Sequence, residues 1–179
     1  MKMTQILIAG FGGQGVLFAG KFLAYKGLVQ DKQVSWLPSY GPEMRGGTAN
    51  CSVILSDTPV GSPIITNPDV LVAMNLPSLQ KFVDTVVSGG KIFIDSTLID
   101  AKVERTDVEV FYIPATQMAK DNGIATLANM IIVGSLLENH PELSFEGTEA
   151  VINKLVPPKK AALVELNMKA LTLGKEYKA

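Results

Sequence analysis

The feature that most constrains the fold is a glycine-rich segment, Gly10-Phe11-Gly12-Gly13-Gln14-Gly15, that follows a short apolar run near the N-terminus. The run, residues 4–9, has the nearly continuous apolar character of a strand buried on both faces. Beyond the glycines, apolar residues recur at helical spacing from Val16 to Leu28. Strand, glycine turn and helix in this order predict the first unit of an α/β sheet.

In the remainder of the chain, the pattern predicts several strands with one helix among them, and then only helices in the C-terminal part. Further strands are predicted at residues 33–37, 48–55, 70–74, 91–95 and 108–113. Helices are predicted at residues 78–87, 127–139, 145–155 and 157–173. Pro157 and Pro158 are expected in the first turn of the last helix, where proline is well tolerated.

This order of elements predicts a single domain, residues 1–179, of the α/β class. We expect a Rossmann-like doubly wound sheet, mostly parallel, with a C-terminal helical cover. The connection from Leu37 to Thr48 contains no obvious helix. Because parallel neighbours require a crossover, a strictly regular Rossmann order is not expected, and antiparallel strands are allowed for.

Composition and charge argue against several classes of function. The net charge is −1 and the isoelectric point about 5.8, whereas a nucleic-acid-binding surface needs clustered basic residues. The longest apolar runs are interrupted, as residues 127–137 are by Asn129 and Gly134, so no membrane span is predicted. The N-terminal residues lack the pattern of a signal peptide, which favours a cytoplasmic protein.

The single cysteine and the single histidine limit redox and metal chemistry. Cys51 cannot form an intrachain disulfide, nor can it alone hold a four-cysteine iron–sulfur cluster. Its apolar surroundings predict a buried thiol rather than a reactive one. His140 precedes Pro141 and is predicted at a helix end rather than as a catalytic base, and no metal site is predicted.

The glycine turn is a candidate phosphate-binding element. Gly10, Gly12 and Gly15 match G-x-G-x-x-G, in which glycines let a diphosphate approach the backbone and the helix N-terminus. A turn that only packs helix against strand is the structural alternative. NAD or FAD would require an acidic residue about 20 positions later, at the end of the second strand. Residues 33–39 contain none, and no Walker A lysine follows the turn, so a differently placed phosphate-bearing ligand fits better.

A second loop, Gly41-Pro42-Glu43-Met44-Arg45-Gly46-Gly47-Thr48, is the most unusual segment of the chain. It is predicted to face the same edge of the sheet as the glycine turn. Arg45 would bring a guanidinium group to an anion, and Gly46 and Gly47 could present backbone N–H groups as a nest. The alternative is a surface turn with a solvated arginine, and spacing alone does not choose between them.

Together, these two loops resemble the gamma subunit of 2-oxoacid:ferredoxin oxidoreductases. The resemblance covers essentially the whole chain and continues through Ser62-Pro63, Asn67-Pro68-Asp69, Ala73-Met74-Asn75 and the helix that contains Asn129 and Gly134. The turn is more similar to the 2-oxoglutarate branch than to the pyruvate branch, although indolepyruvate enzymes have a similar turn. The resemblance implies a multi-subunit enzyme that converts a 2-oxoacid and coenzyme A to an acyl-CoA and CO2 and reduces ferredoxin.

The resemblance also implies how cofactors are divided among subunits. Thiamine diphosphate is expected between alpha and beta subunits, iron–sulfur clusters on beta or delta subunits, and part of the coenzyme A site on this chain. The residues expected to hold coenzyme A are those of the two loops: Gly12, Gly13, Gln14, Gly15, Arg45, Gly46, Gly47 and Thr48. Lys21 is expected to be solvated, the alternative being that it adds charge at the mouth of the site. Turn or interface roles are favoured over that of a general base for Tyr40 and Glu43, so no catalytic residue is expected here.

The resemblance also implies which partners the chain has, and two rival functions are considered beside it. The expected partners are the alpha, beta and delta subunits, with ferredoxin as electron acceptor and a homodimer as a possible state of the isolated chain. Two rivals are kept open: an NAD(P)-binding protein, and a non-catalytic assembly subunit whose glycine turn is purely structural.

Overall fold

The computed structural model describes residues 2–39 and 48–178, which form one six-stranded sheet with helices packed on it. The strands are β1 (Met3–Phe11), β2 (Gln33–Ser39), β3 (Thr48–Ser56), β4 (Val70–Ala73), β5 (Lys91–Asp95) and β6 (Glu109–Ile113). The α-helices are α1 (Val16–Val29), α2 (Leu76–Phe82), α3 (Ala115–Asp121), α4 (Ala128–Asn139), α5 (Thr148–Leu155) and α6 (Ala162–Glu176). Short 3₁₀ turns lie at Val83–Thr85, Ala125–Leu127 and Pro158–Lys160.

The strand order is β2-β3-β1-β4-β5-β6, and only β3 runs against the others. The prediction of a mostly parallel α/β sheet is therefore confirmed. The antiparallel strand lies between β1 and β2, and its register places Thr48 opposite Phe11. The start of β3 and the end of β2 thus lie at the carboxyl edge of the parallel strands, where β1 gives way to the glycine turn.

Two apolar cores cover the two faces of the sheet, because successive side chains of a strand point in opposite directions. On β1, Ile6 and Ile8 belong to the larger core, which is completed by α1, α3, α4, α5 and α6. Leu7 belongs to the smaller core beneath α2. The doubly wound arrangement and the helical cover formed by the C-terminal third of the chain are both as predicted.

The central helix α4 crosses α6 at close range through two glycines. A Cβ built on Gly134 would lie 2.8 Å from the carbonyl carbon of Leu171. A Cβ built on Gly174 would lie 2.7 Å from the carbonyl carbon of Ile131. Carbon atoms in contact normally lie about 3.5–4.0 Å apart, so neither position has room for a side chain.

Several predicted boundaries were wrong. β1 continues through Gly10 and Phe11, so the turn is confined to residues 12–15. β2 extends through Pro38 to Ser39, where a loop was predicted. The last helix does not begin at the proline pair, because Pro157 has ψ of 142°, as expected of a residue that precedes proline.

Two further helices also differ from prediction in their starting residues. α2 begins two residues early, at Leu76, and ends at Phe82 because a 3₁₀ turn follows. α5 begins only at Thr148, since Gly147 is left-handed with φ of 72° and precedes the first helical residue.

The first and last described residues approach the same end of α4, at the edge opposite the glycine turn. Lys2 Nζ lies 2.6 Å from Glu142 Oε1, three residues beyond the helix. Lys178 Nζ lies 3.7 Å from Glu138 Oε1, in its last turn. Both ends of the described chain are therefore close together.

Candidate functional site

The turn of residues 12–15 joins β1 to α1 at the carboxyl edge of the sheet. Gly13 and Gly15 have φ of 93° and 75°. These values lie in the left-handed region of backbone conformation, which residues other than glycine rarely adopt. Apart from its chain neighbours, no atom of the described residues lies within 4 Å of the position that a Cβ on Gly13 would take. Among the described residues, the backbone at Gly13 is therefore not covered by a side chain.

The side chain of Gln14 holds this turn in place. Its Oε1 accepts a hydrogen bond from the Phe11 backbone N–H at 2.6 Å, and its Nε2 donates to the Met74 carbonyl at 2.9 Å. Its own backbone N–H donates to the Phe11 carbonyl at 3.2 Å. Because both ends of the amide are engaged, Gln14 stabilises the turn against the end of β4, and a ligand at the turn would meet the backbone instead.

The N-terminus of α1 opens beside this turn. No described side chain caps the helix, and its first turn contains no acidic residue. The first N–H groups of an α-helix have no intrahelical acceptor, and the helix dipole makes this end partly positive. Next to it lies an open depression of about 270 Å³, lined by Phe11, Gly12, Gly13, Gly15, Val16, Leu17, Phe18 and Ala49. The arrangement suits a ligand with an anionic group and an apolar portion.

A second helix begins at the same place. Asn129, in the first turn of α4, donates a hydrogen bond from Nδ2 to the Gly15 carbonyl at 3.0 Å. Asn129 is 4% exposed, and its Oδ1 has no hydrogen-bond partner among the described residues. Like α1, α4 has no acidic residue in its first turn and no cap from a described side chain. Two positively polarised helix ends are therefore adjacent at the glycine turn.

Two other buried polar residues at this edge have structural roles. Asn75 follows β4 and accepts a hydrogen bond from the Ser78 N–H at 2.8 Å, which caps the start of α2. Asp95 ends β5 and accepts hydrogen bonds from the hydroxyl and backbone N–H of Thr116 at the start of α3. Both fix the connection between a strand and the following helix.

The structure brings together those predicted site residues that it describes. The four turn residues, Gly12 to Gly15, lie next to Thr48, which is exposed and opposite Phe11 at the start of β3. Lys21 is exposed on α1. The other residues assigned to the second loop fall outside the described part of the chain: Tyr40, Glu43, Arg45, Gly46 and Gly47.

Sequence reasoning missed the polar residues around the turn. Asn75 directly follows a predicted strand and Asp95 is the last residue of another, and this position at the carboxyl edge is the signal that could have found them. Asn129 lies in a helix to which the resemblance extends, but the sequence does not place it at the turn, because 114 residues separate it from Gly15. Only the packing of α4 beside α1 brings the two residues together.

The lone cysteine and histidine lie as predicted. Cys51 is buried, its Sγ lies 3.4 Å from the Val16 carbonyl, and burial raises the pKa of its thiol to about 12. His140 directly follows α4, and burial is the main cause that lowers its pKa. The described residues contain no group of three or more potential ligands that could hold a metal ion. None of the described helices combines the length and apolarity needed to cross a membrane.

Comparison with protein families shows to which family the chain belongs. The family described as pyruvate ferredoxin/flavodoxin oxidoreductase matches residues 5–177. The chain belongs to this family. The resemblance to gamma subunits of 2-oxoacid:ferredoxin oxidoreductases is thereby confirmed. Individual relatives and solved structures describe the similarity in more detail.

Two relatives show that the family contains enzymes for different oxoacids. The chain is 41% identical to ketoisovalerate oxidoreductase subunit VorA of Methanothermobacter thermautotrophicus, over 97% of this chain but 36% of the relative. It is 35% identical to 2-oxoglutarate synthase subunit KorC of Methanothermobacter marburgensis, over 96% of this chain and 95% of the relative. This chain therefore spans about a third of the length of VorA and nearly all of the length of KorC.

Two solved structures share the fold. The gamma subunit of a keto/oxoacid ferredoxin oxidoreductase from Geobacter sulfurreducens has a TM-score of 0.81 and 30% identity, over 97% of this chain and 96% of that one. The 2-oxoglutarate:ferredoxin oxidoreductase from Magnetococcus marinus, solved with 2-oxoglutarate, coenzyme A and succinyl-CoA bound, has a TM-score of 0.86 and 25% identity. The match covers 98% of this chain and 31% of that one.

Proposed function

We propose that this chain is the gamma subunit of a cytoplasmic, multi-subunit 2-oxoacid:ferredoxin oxidoreductase and contributes the phosphate-binding part of its coenzyme A site. The enzyme would convert a 2-oxoacid, coenzyme A and oxidised ferredoxin to an acyl-CoA, CO2 and reduced ferredoxin. The similarity to KorC, which extends over 95% of that subunit, supports a separate gamma subunit. It also supports 2-oxoglutarate as the substrate, with ketoisovalerate as the alternative suggested by the similarity to VorA.

The observation that carries the coenzyme A proposal is the start of α1 beside Gly13, which no described side chain caps and where no described atom occupies the Cβ position of Gly13. Coenzyme A carries phosphate groups and a long pantetheine arm, in which amide and hydroxyl groups alternate with short apolar carbon segments. The N–H groups in the first turn of α1 and the backbone at Gly13 can donate hydrogen bonds to phosphate oxygens. The depression lined by Phe11, Leu17 and Phe18 can accept apolar atoms next to them.

In this proposal, the role of the chain is to position the thiol carrier, and no described residue acts as a general base. The Gln14 side chain keeps the turn rigid, so binding costs little conformational entropy. Thiamine diphosphate and the iron–sulfur clusters belong to alpha, beta and delta partner subunits. A cluster does not fit this chain, whose only cysteine, Cys51, is buried.

A charge placed at Gly13 tests the coenzyme A site in the enzyme assembled from this chain and its partner subunits. Gly13→Asp adds a carboxylate at an open position, and repulsion of about 1–3 kcal/mol from a phosphate a few ångströms away is expected. The KM for coenzyme A should rise about 5- to 150-fold. Gly13→Asn is the matched control, since it has the same size and the same backbone strain without the charge.

The proposal requires the two variants to differ in coenzyme A kinetics while both assemble. Equal KM values for coenzyme A in Gly13→Asp, Gly13→Asn and the unaltered enzyme would leave the assembly-subunit alternative standing. Comparing kcat/KM for 2-oxoglutarate and for ketoisovalerate in the same preparation decides the oxoacid. A preference for ketoisovalerate would contradict that part of the proposal alone.

The topology of the sheet argues against the NAD(P) alternative. In a dinucleotide-binding unit, the acidic residue that holds the ribose ends the strand adjacent to β1. Here β3 lies between β1 and β2, so the end of β2 is displaced from the turn by two strand spacings, about 10 Å. β2 also contains no acidic residue. Absence of NAD(P) binding in equilibrium dialysis is the expected result.

A further inference from the structure

The contact between Asn129 and Gly15 joins the two helix starts at the proposed site. The Gly15 carbonyl accepts two hydrogen bonds, one from Asn129 Nδ2 and one from the Ala19 N–H, each at 3.0 Å. A Cβ built on Gly15 would lie 2.8 Å from Asn129 Cγ, so the amide packs directly against the glycine. Any larger residue at position 15 would displace it.

This contact affects a donor at the mouth of the depression. The Gly15 carbonyl and the Val16 N–H belong to the same peptide group, and Val16 lines the depression. A carbonyl that accepts hydrogen bonds polarises its peptide group and makes the N–H on the other side a stronger donor. Asn129 therefore acts on the first N–H of α1 through the Gly15 carbonyl, as well as fixing the direction of the helix.

The burial of Asn129 is poorly compensated. Its Nδ2 is bonded to Gly15, which fixes the orientation of the amide, but its Oδ1 is buried without a partner among the described residues. A buried carbonyl without a hydrogen bond lowers stability, and an apolar side chain of similar volume would avoid that cost. Among the described residues, the bond from Nδ2 to the Gly15 carbonyl is therefore the one hydrogen bond of this side chain.

We propose that Asn129 is a positioning residue for the phosphate groups of coenzyme A, which it serves through the Gly15–Val16 peptide. This inference rests on the proposed function of the glycine turn. Asn129 orients and polarises the Val16 N–H and holds the N-terminus of α4 beside that of α1. It makes no contact with the reacting thiol.

The test measures Asn129→Leu and Asn129→Asp in the assembled enzyme. Leucine removes the donor with little change of volume, and the KM for coenzyme A should rise about 3- to 10-fold, corresponding to one hydrogen bond. The inhibition constant of inorganic pyrophosphate, used as a probe of the phosphate site, should rise by the same factor. The kcat and the KM for the oxoacid should not change. Aspartate adds negative charge and should raise both coenzyme A-site constants further.

A matched control lies at the other end of the same helix. Asn139 also donates from Nδ2 to a backbone carbonyl, that of Ser135, at 2.8 Å. Asn139→Leu loses an equivalent bond far from the turn and should leave the KM for coenzyme A unchanged. Thermal unfolding of each variant shows whether the kinetic effect merely follows stability.

Two results would overturn the inference. One is a KM for coenzyme A that is unchanged in both Asn129 variants while Gly13→Asp raises it, which leaves the proposed function intact. The other is a proportional loss of stability and of all kinetic constants, which would mark Asn129 as structural only. If Gly13→Asp also has no effect, the coenzyme A site itself is misplaced.

Discussion

The crossing of α4 and α6 yields a sharp prediction about stability. Gly134→Ala introduces a methyl group 2.8 Å from the Leu171 carbonyl carbon. Contact between carbon atoms requires about 3.5–4.0 Å, so the two helices must move apart by about 1 Å. The obstacle is backbone, which cannot rotate away as a side chain could.

The expected cost follows from two opposing effects. Overpacking of a well-packed core costs about 1–3 kcal/mol, and we expect the upper end because backbone is displaced. Alanine favours the helical state over glycine by about 1 kcal/mol, which offsets part of this. The net loss for Gly134→Ala should be about 2 kcal/mol, a decrease in Tm of about 4–8 °C for a chain of this length.

Urea and thermal unfolding, followed by circular dichroism, measure this loss. Gly61→Ala is the control, because no atom of the described residues outside its chain neighbours lies within 4 Å of the Cβ position of Gly61. The stability of this variant should be unchanged or slightly higher. Gly174→Ala opposes Ile131 in the same crossing. The double variant should lose less than the sum of the two single variants, since one separation of the helices relieves both overlaps.

Equal stability of Gly134→Ala and Gly61→Ala would refute the reasoning, because it would mean that the two helices do not meet at Gly134. Strict additivity of Gly134→Ala and Gly174→Ala would refute the shared separation but not the contact.

Two further predictions concern titratable groups. With a thiol pKa of about 12, buried Cys51 should resist iodoacetamide in the native protein at pH 8 and react fully in denaturant, as mass spectrometry would show; native labelling would contradict its burial. Burial, and secondarily Lys91, lowers the pKa of His140 from 6.5, and its neutral Nδ1 accepts the Glu142 N–H. The unfolded chain then takes up the proton first, so stability should fall as pH drops through 6.5. His140→Gln should weaken this dependence in urea titrations, and an unchanged pH profile would count against it.

The sequence was sufficient for the α/β class because its strongest signals are local. The apolar run before the glycines and the helical spacing after them are read within about 25 residues, and both elements formed as predicted. Element boundaries were less accurate where conformation depends on single residues. Gly10 looked like part of the turn, yet pairing with Ala49 of β3 keeps it in the strand.

The site was only partly accessible from sequence. The sequence motif identified the turn, but it made all residues of the turn look like ligand contacts. In the structure, the Gln14 side chain instead donates a hydrogen bond to the Met74 carbonyl, 60 residues away. Asn129 is more remote still, at 114 residues from Gly15. Contacts of this kind depend on how helices and strands pack, and no local pattern encodes them.

The meeting of the first and last described residues at the end of α4 bears on how such a unit is incorporated into larger proteins. A domain whose ends are neighbours can be spliced into a longer polypeptide, or expressed separately, without rearranging its interior. Those ends lie at the edge opposite the glycine turn, so added segments would leave the turn accessible. The same architecture can therefore occur as about a third of a VorA chain and as nearly the whole of KorC.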